Sequence, residues 1–279
     1  MKEFWANVTK ERETKAQEWE GVFSEYAKSN PEKFEELERS FSGYSMSEED
    51  LLAILPKFEY GKDKEKATRQ FSEQCLNILA PLLPELIGGS ADLNPSNLTA
   101  LKCSGDFQKD SPTGRYLRFG VREHGMAAIC NGMLAYGGFR PFCATFLNFA
   151  GYALSAIRLS ALSRFGIIYI MTHDSIGLGE DGPTHQPVEM LESLRSMPNI
   201  NVFRPADSNK VAAAYSVAIR TRATPSDICC SRMTVAALKS SSVEKSCLGA
   251  YDVVSCEAPH LILMATGIDS PSKFILGDD

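Results

Sequence analysis

No apolar run in this sequence is long enough to cross a bilayer, so no membrane partner is expected. Its first twenty residues, MKEFWANVTKERETKAQEWE, are charged throughout and lack the apolar centre of a secretory signal. Positive charge is also scarce. A net charge of −6, with no basic cluster interleaved with aromatics, argues against a nucleic-acid partner. The eight cysteines form neither a C-x-x-C nor a Cys/His set at zinc spacing. They read as structural thiols of a reduced, cytoplasmic protein. An H-E-x-x-H pair is lacking too, and no metal ligand is assigned. Histidine itself is rare, four in the chain, yet His173 and His185 share one stretch, THDSIGLGEDGPTHQPVE.

What remains is an ordinary globular composition, 44% hydrophobic and 23% charged over 279 residues, enough to bury a substantial core. Residues 1–65 read as a helical linker arm. In EWEGVFSEYAKS the residues Trp19, Val22, Phe23 and Tyr26 recur at helical spacing. NPEKFEELERSFSG offers Asn30 as N-cap, Pro31 at the first helical position and Gly43 as a stop. A third short helix follows SEED, with a capping box from Ser47 to Asp50.

Over 66–240 strands alternate with helices. PELIGGSAD, YLRFGV, RPFCAT, FGIIYIM, NINVFRPAD and SDICCSR read as strands, with helical stretches between most of them. Short strands that are apolar on both faces imply an α/β fold, a mostly parallel sheet with helices on both faces. In such sheets ligands bind beyond the carboxyl ends of the strands. The polar segments GGSADLNPSN, GVREHG, ATFLNF, THDSIGLGEDGPTHQ, RPAD and CSR all follow predicted strands, so they converge on one edge. Residues 241–279 form a further linker and tail.

The candidate residues each admit two readings. The histidine loop is either a strand end followed by glycine turns or an ordered binding loop, and four carboxylates beside two imidazoles favour the latter. Glu123 either complements the dipole of the helix it opens or holds a proton for a ligand nitrogen. Phe146, Phe149 and Tyr152, at three-residue steps, are either core or a pocket for a flat ring, and spacing alone favours core. Arg69, Ser96 and Arg232 are surface residues or a phosphate clamp, and nothing local decides between them.

Taken in order, ATRQFSE, LIGGSADLNPSNLT, GRYLRFGVREHGMAAI, TFLNFAGYALSAIRLSAL, THDSIGLGEDGPTHQPVE and NVFRPADSNKVAAAY resemble the transketolase family. The resemblance runs to about Gly267. It implies the pyrimidine-binding domain of a thiamine-diphosphate enzyme that moves a two-carbon ketol group between sugar phosphates in the pentose phosphate pathway. It would make Glu123 the acid that hydrogen-bonds the cofactor's aminopyrimidine and Phe146, Phe149 and Tyr152 the pocket around that ring. Asp92 would lie near the thiazolium. Arg69, Ser96, His173 and Arg232 would hold the sugar phosphate. Asp181 and a catalytic His185 would meet the donor's hydroxyl and carbonyl oxygens. The family's cofactor sits at a dimer interface, with its diphosphate held through magnesium by another domain carrying a G-D-G motif. A G-D-G is lacking here, the nearest string being GEDGP. HLILMATG resembles the start of the family's third domain, whereas IDSPSKFILGDD departs from it.

The expectation is therefore a transketolase part, acting as a homodimer or with a partner chain that supplies the diphosphate site. The alternative is a non-catalytic dimerising or regulatory fragment. A deoxyxylulose phosphate synthase or the β-subunit of a 2-oxo acid dehydrogenase fits the histidine loop and ADLNPSN less well.

Overall fold

The computed structural model describes residues 1–43, 46–255 and 257–269. It divides into two compact units, Met1–Tyr44 and Ser45–Asp279.

The first unit is a pair of helices, α1 (Lys2–Ser29) and α2 (Pro31–Phe41), neither with a buried residue. Trp19 stacks on Phe23, and Phe23 meets Phe34 at 4.9 Å, so the aromatic spacing serves to hold α1 against α2. The helix extends well upstream of the expected Glu18, to Lys2. Its charged first half carries no apolar period because it buries nothing. Asn30 lies between the helices without a side-chain cap bond, and Pro31 opens the second one.

The second unit begins with α3 (Glu48–Ile54), where the Ser47 hydroxyl accepts from the Asp50 amide, the N-cap half of the expected capping box, and donates to the Asp50 carboxylate. Leu51 and Leu55 enter the core of the α/β unit, and Asn209 pins the next turn through the backbone N–H and C=O of Phe58. The chain then runs β1 (Lys66–Ala67), α4 (Thr68–Leu79), β2 (Leu86–Ser90), α5 (Asn94–Asn97), β3 (Tyr116–Arg118), α6 (Glu123–Tyr136) and β4 (Arg140–Phe146). It continues through α7 (Ala150–Ser163), β5 (Ile168–Thr172), α8 (Met190–Arg195), β6 (Asn201–Phe203), α9 (Ser208–Arg220), β7 (Ser226–Cys230), β8 (Thr234–Val235) and α10 (Val243–Cys247).

Six strands form one parallel sheet in the order β3-β2-β4-β5-β7-β6, and β1 pairs with β8 in a separate antiparallel ribbon. The expected mostly parallel sheet with helices on both faces is present. Alternation along the strands explains why they read as continuous apolar runs. Phe142, Ala144, Ile168, Ile170, Ile228 and Cys230 pack into the layer of α3, α4 and α9. Cys143, Tyr169, Met171 and Cys229 pack into the opposite layer with α6, α7 and α8. Gly89 has a specific reason to be glycine: a Cβ there would lie 1.7 Å from the carbonyl oxygen of Leu117 on β3.

Two arginines close helix ends at the opposite edge of the sheet from the polar loops. Arg115 donates to the carbonyls of Ala80 and Leu83 just beyond α4 at 2.9 Å each. Fully buried Arg140 donates to Ala218 and Thr221 at the end of α9. Both satisfy orphan carbonyls with a cation where the helix dipole favours one.

Candidate active site

Parallel pairing of β4 with β5 aligns Phe146 with Thr172 at their carboxyl ends. His173 follows in the left-handed region, φ 61°, which turns the chain away from the strand and sets its imidazole beside Phe146. The two rings stack with centroids 3.7 Å apart. Phe146 ends the strand, Phe149 closes a 3₁₀ turn (Leu147–Phe149), and only Tyr152 lies on α7. Phe146 and Phe149 stack at 5.4 Å, Phe149 meets Tyr152 at 6.0 Å, and His185 stands edge-on to Phe149 at 5.0 Å and to Phe146 at 5.8 Å. The three aromatics and both loop histidines thus form one ring cluster. Phe146 is buried in it, Phe149 half-buried and Tyr152 71% exposed, so core packing does not account for all three.

Positive charge surrounds this cluster. Arg69, at the start of α4, donates to the Ser96 carbonyl at 2.6 Å. Arg232, just beyond β7, donates to the Leu178 carbonyl at 2.6 Å and pairs with Glu180. Burial pushes the His173 imidazole down to about 3, aided by Arg69, Arg232 and His185. Arg69 in turn is lowered by burial and by Arg232. The arrangement is a neutral imidazole between two guanidiniums, suited to an anion that carries further polar groups.

The histidine loop is tied down along its length. Buried Asp174 pairs with Arg204 at 2.9 Å, and burial raises its carboxyl against the pull of that arginine. Asn148 donates to the Thr184 carbonyl at 2.6 Å, and Gln186 donates to Ile176 at 3.0 Å. Thr184 Oγ1 lies 2.8 Å from His185 Nδ1. Asp181 is exposed, within electrostatic reach of Arg232.

Glu123 is the first residue of α6 and 8% exposed. A turn at Gly120, φ 69°, with Arg122 N–H on the Gly120 carbonyl, delivers it to the carboxyl edge from β3. Among the described residues its carboxyl has no side-chain hydrogen-bond partner. Asp92 is exposed in the left-handed region, φ 62°, beyond β2. Sequence reasoning assigned no role to Asn97, Thr172 or Arg204. ADLNPSN could have drawn attention to Asn97, but its contact with Thr172, 75 residues away, has no local signal.

The family model described as "Transketolase, pyrimidine binding domain" matches residues 64–236. The chain belongs to the transketolase pyrimidine-binding domain family. Among relatives, the chloroplastic transketolase of Solanum tuberosum is 48% identical over 273 residues, 96% of this chain and 36% of that protein. A transketolase from Pichia stipitis, solved in complex with sedoheptulose-7-phosphate, superposes with a TM-score of 0.84 at 45% identity, covering 88% of this chain and 37% of that one. A split-gene transketolase, solved as an inactive β4 tetramer, matches at TM-score 0.50 and 26% identity, over 64% of this chain and 56% of that one. The chain therefore spans about 36% of the length of the Solanum tuberosum relative.

Proposed function

We propose that the chain is the pyrimidine-binding part of a transketolase, catalysing reversible transfer of a two-carbon ketol group from a ketose phosphate to an aldose phosphate. The observation that carries this reading is the ring cluster of Phe146, Phe149, Tyr152, His173 and His185 flanked by Arg69 and Arg232.

Half of the cofactor fits these residues. An aromatic cluster and, at the same carboxyl edge of the sheet, a buried carboxyl with no side-chain partner among the described residues suit an aminopyrimidine. The diphosphate and its magnesium need hard oxygen ligands, and no group of three or more His, Cys, Asp or Glu among the described residues could hold a metal. When bound, thiamine diphosphate supplies the nucleophilic carbon that takes up and hands on the ketol unit. Glu123 would hydrogen-bond a ring nitrogen of the pyrimidine through its carboxyl. Phe146, Phe149 and Tyr152 would form the pocket around that ring and exclude water, and Asp92 would lie near the thiazolium. Arg69, Ser96, His173 and Arg232 would hold the substrate phosphate. Asp181 and His185 would meet the donor's hydroxyl and carbonyl oxygens, and His185 would move protons there.

The magnesium and diphosphate site would come from another domain, in the same polypeptide, in a second copy or in a partner chain. An apolar face supports dimer formation: Ile129 and Tyr136 on α6, and Leu159 and Leu162 on α7, are at least half exposed. Cytoplasmic residence is part of the proposal. It is supported by the free thiols of all seven described cysteines, although the potato relative is chloroplastic. We assign residues 1–65 to the linker arm, 66–240 to the pyrimidine domain, and 241–279 to a linker and the start of the carboxy-terminal domain.

The inactive split-gene tetramer favours a second reading, a non-catalytic fragment that dimerises and turns nothing over. Mixing distinguishes the two. The chain alone is expected to bind thiamine diphosphate more weakly than micromolar in calorimetry. Addition of a separately expressed diphosphate-binding domain with magnesium is expected to restore transfer from xylulose 5-phosphate to ribose 5-phosphate. Failure with every such domain would favour the fragment.

A further inference from the structure

Arg232 reaches the site from just beyond β7 with its guanidinium already engaged. Nη1 donates to the Leu178 carbonyl at 2.6 Å, and Nη2 pairs with Glu180 Oε1. The first contact anchors the arginine to backbone. The second is an ion pair whose carboxylate side chain is 74% exposed. Arg69 lies within electrostatic reach of Arg232, and its buried Nε has no hydrogen-bond partner. Both guanidiniums bear on His173, yet among the described residues Glu180 is the one carboxylate hydrogen-bonded to either of them.

Glu180 and Asp181 form the exposed tip of a turn closed by the Gly182 N–H on the Gly179 carbonyl at 3.2 Å. The flanking glycines have φ of 88° and 75°, with open space where a Cβ would lie. The turn therefore sits between two positions free to change backbone conformation. Carboxylate and phosphate both take the forked N–H groups of a guanidinium, and one donor cannot serve both in full. An exposed carboxylate pair is weak, whereas a phosphate that also meets Arg69 and His173 makes more contacts with the same cluster.

We infer that Glu180 is an internal competitor of the substrate phosphate: it holds Arg232 until the phosphate displaces it, and its release frees the Gly179–Gly182 turn and repositions Asp181. The inference rests on the reading of Arg69 and Arg232 as part of a phosphate clamp, and adds that the clamp is filled before substrate arrives. Glu180 thereby couples phosphate capture to the placement of the neighbouring residue that would meet the donor's oxygens. A sugar without a phosphate leaves Glu180, and with it Asp181, where Arg232 holds them.

Titration of the full chain with inorganic phosphate, followed by amide NMR shifts, tests this without cofactor or turnover. Glu180→Gln keeps the side chain's size and removes its charge. It is expected to bind phosphate on the order of fivefold more tightly than wild type, the factor set by releasing an exposed ion pair. Asp181→Asn removes a charge that reaches Arg232 without a hydrogen bond to it, and is expected to change the affinity by less than about twofold. The gain from Glu180→Gln is expected to vanish in an Arg232→Gln background. In the wild type, the backbone order parameters of Glu180 and Asp181 are expected to fall when phosphate is added. Equal gains from the two tip variants would show a general field effect and would overturn the inference. So would a gain that survives Arg232→Gln, order parameters that phosphate leaves unchanged, or phosphate that binds neither wild type nor Glu180→Gln. If Arg232→Gln fails to fold, the two tip variants decide. Any of these failures leaves the ketol-transfer reading standing, because mixing assays test that reading separately.

Discussion

The imidazole of His173 lies flat against the ring of Phe146, with planes inclined by 24°. That contact joins the ends of β4 and β5, and it follows from the register that aligns Phe146 with Thr172. Removing the ring opens a buried hole and frees the histidine. Phe146→Ala is expected to cost about 3–5 kcal/mol in urea unfolding, with Phe146→Leu costing distinctly less. Equal costs for the two would show that the ring carries no specific load.

The depressed His173 pKa gives stability a pH slope of known sign. The unfolded histidine takes up a proton near its ordinary value of about 6.5, whereas the folded one waits until about 3. Between those limits the unfolded state binds more protons, so this residue's contribution falls as the pH drops, by up to ~1.4 kcal/mol per pH unit. His173→Gln is expected to remove that slope. A His173 NMR titration with a midpoint above pH 6 would contradict it.

Asp227 acts in the opposite direction. It is fully buried on β7, held by the Cys229 thiol on one oxygen and without a partner on the other, and burial pushes it to about 8. The unfolded carboxyl ionises near 3.9, so from there to about 8 the folded state keeps a proton that the unfolded state releases. Stability contributed here falls as pH rises through that window and levels off above it. Asp227→Asn is expected to remove this slope and to stabilise the protein at pH 7 by on the order of 2 kcal/mol. Because this slope opposes that of His173 below about pH 6.5, each is read as a variant-minus-wild-type difference.

Asp174 and Arg204 anchor the histidine loop from below, with side chains 1% and 7% exposed. Arg204→Ala strands a buried carboxylate and is expected to cost about 3–5 kcal/mol. Amide exchange across residues 172–189 should accelerate more than exchange in the distant strand β3. Uniform acceleration would mean that the pair stabilises the whole domain and not the loop.

The alternation of strand and helix was legible because each central strand is buried on two faces, whereas α4, α6 and α7 are each buried on one. Ser47 capping α3 through the Asp50 amide, and Pro31 opening α2, were equally local and equally readable. Strand order was not, since nothing in β2 states that β4 lies beside it. Within the site, the histidine loop and the aromatic steps were visible as residue types, whereas the stacking of His173 on Phe146 depends on register between distant strands. The network of Asn97 and Thr172 was invisible for the same reason. Spacing also suggested one helical face for Phe146, Phe149 and Tyr152. The strand end, turn and helix that carry them show why they gather around a point and not along a helix.

The most direct measurement is the distance from the Glu123 carboxyl to the nearest pyrimidine nitrogen. It would be read from crystals of the chain with a diphosphate-binding domain, magnesium and thiamine diphosphate. The account expects a hydrogen bond of about 2.6–3.2 Å, with the pyrimidine lying against Phe149. A pyrimidine bound away from Glu123, with the carboxyl facing solvent or the thiazolium, would contradict it.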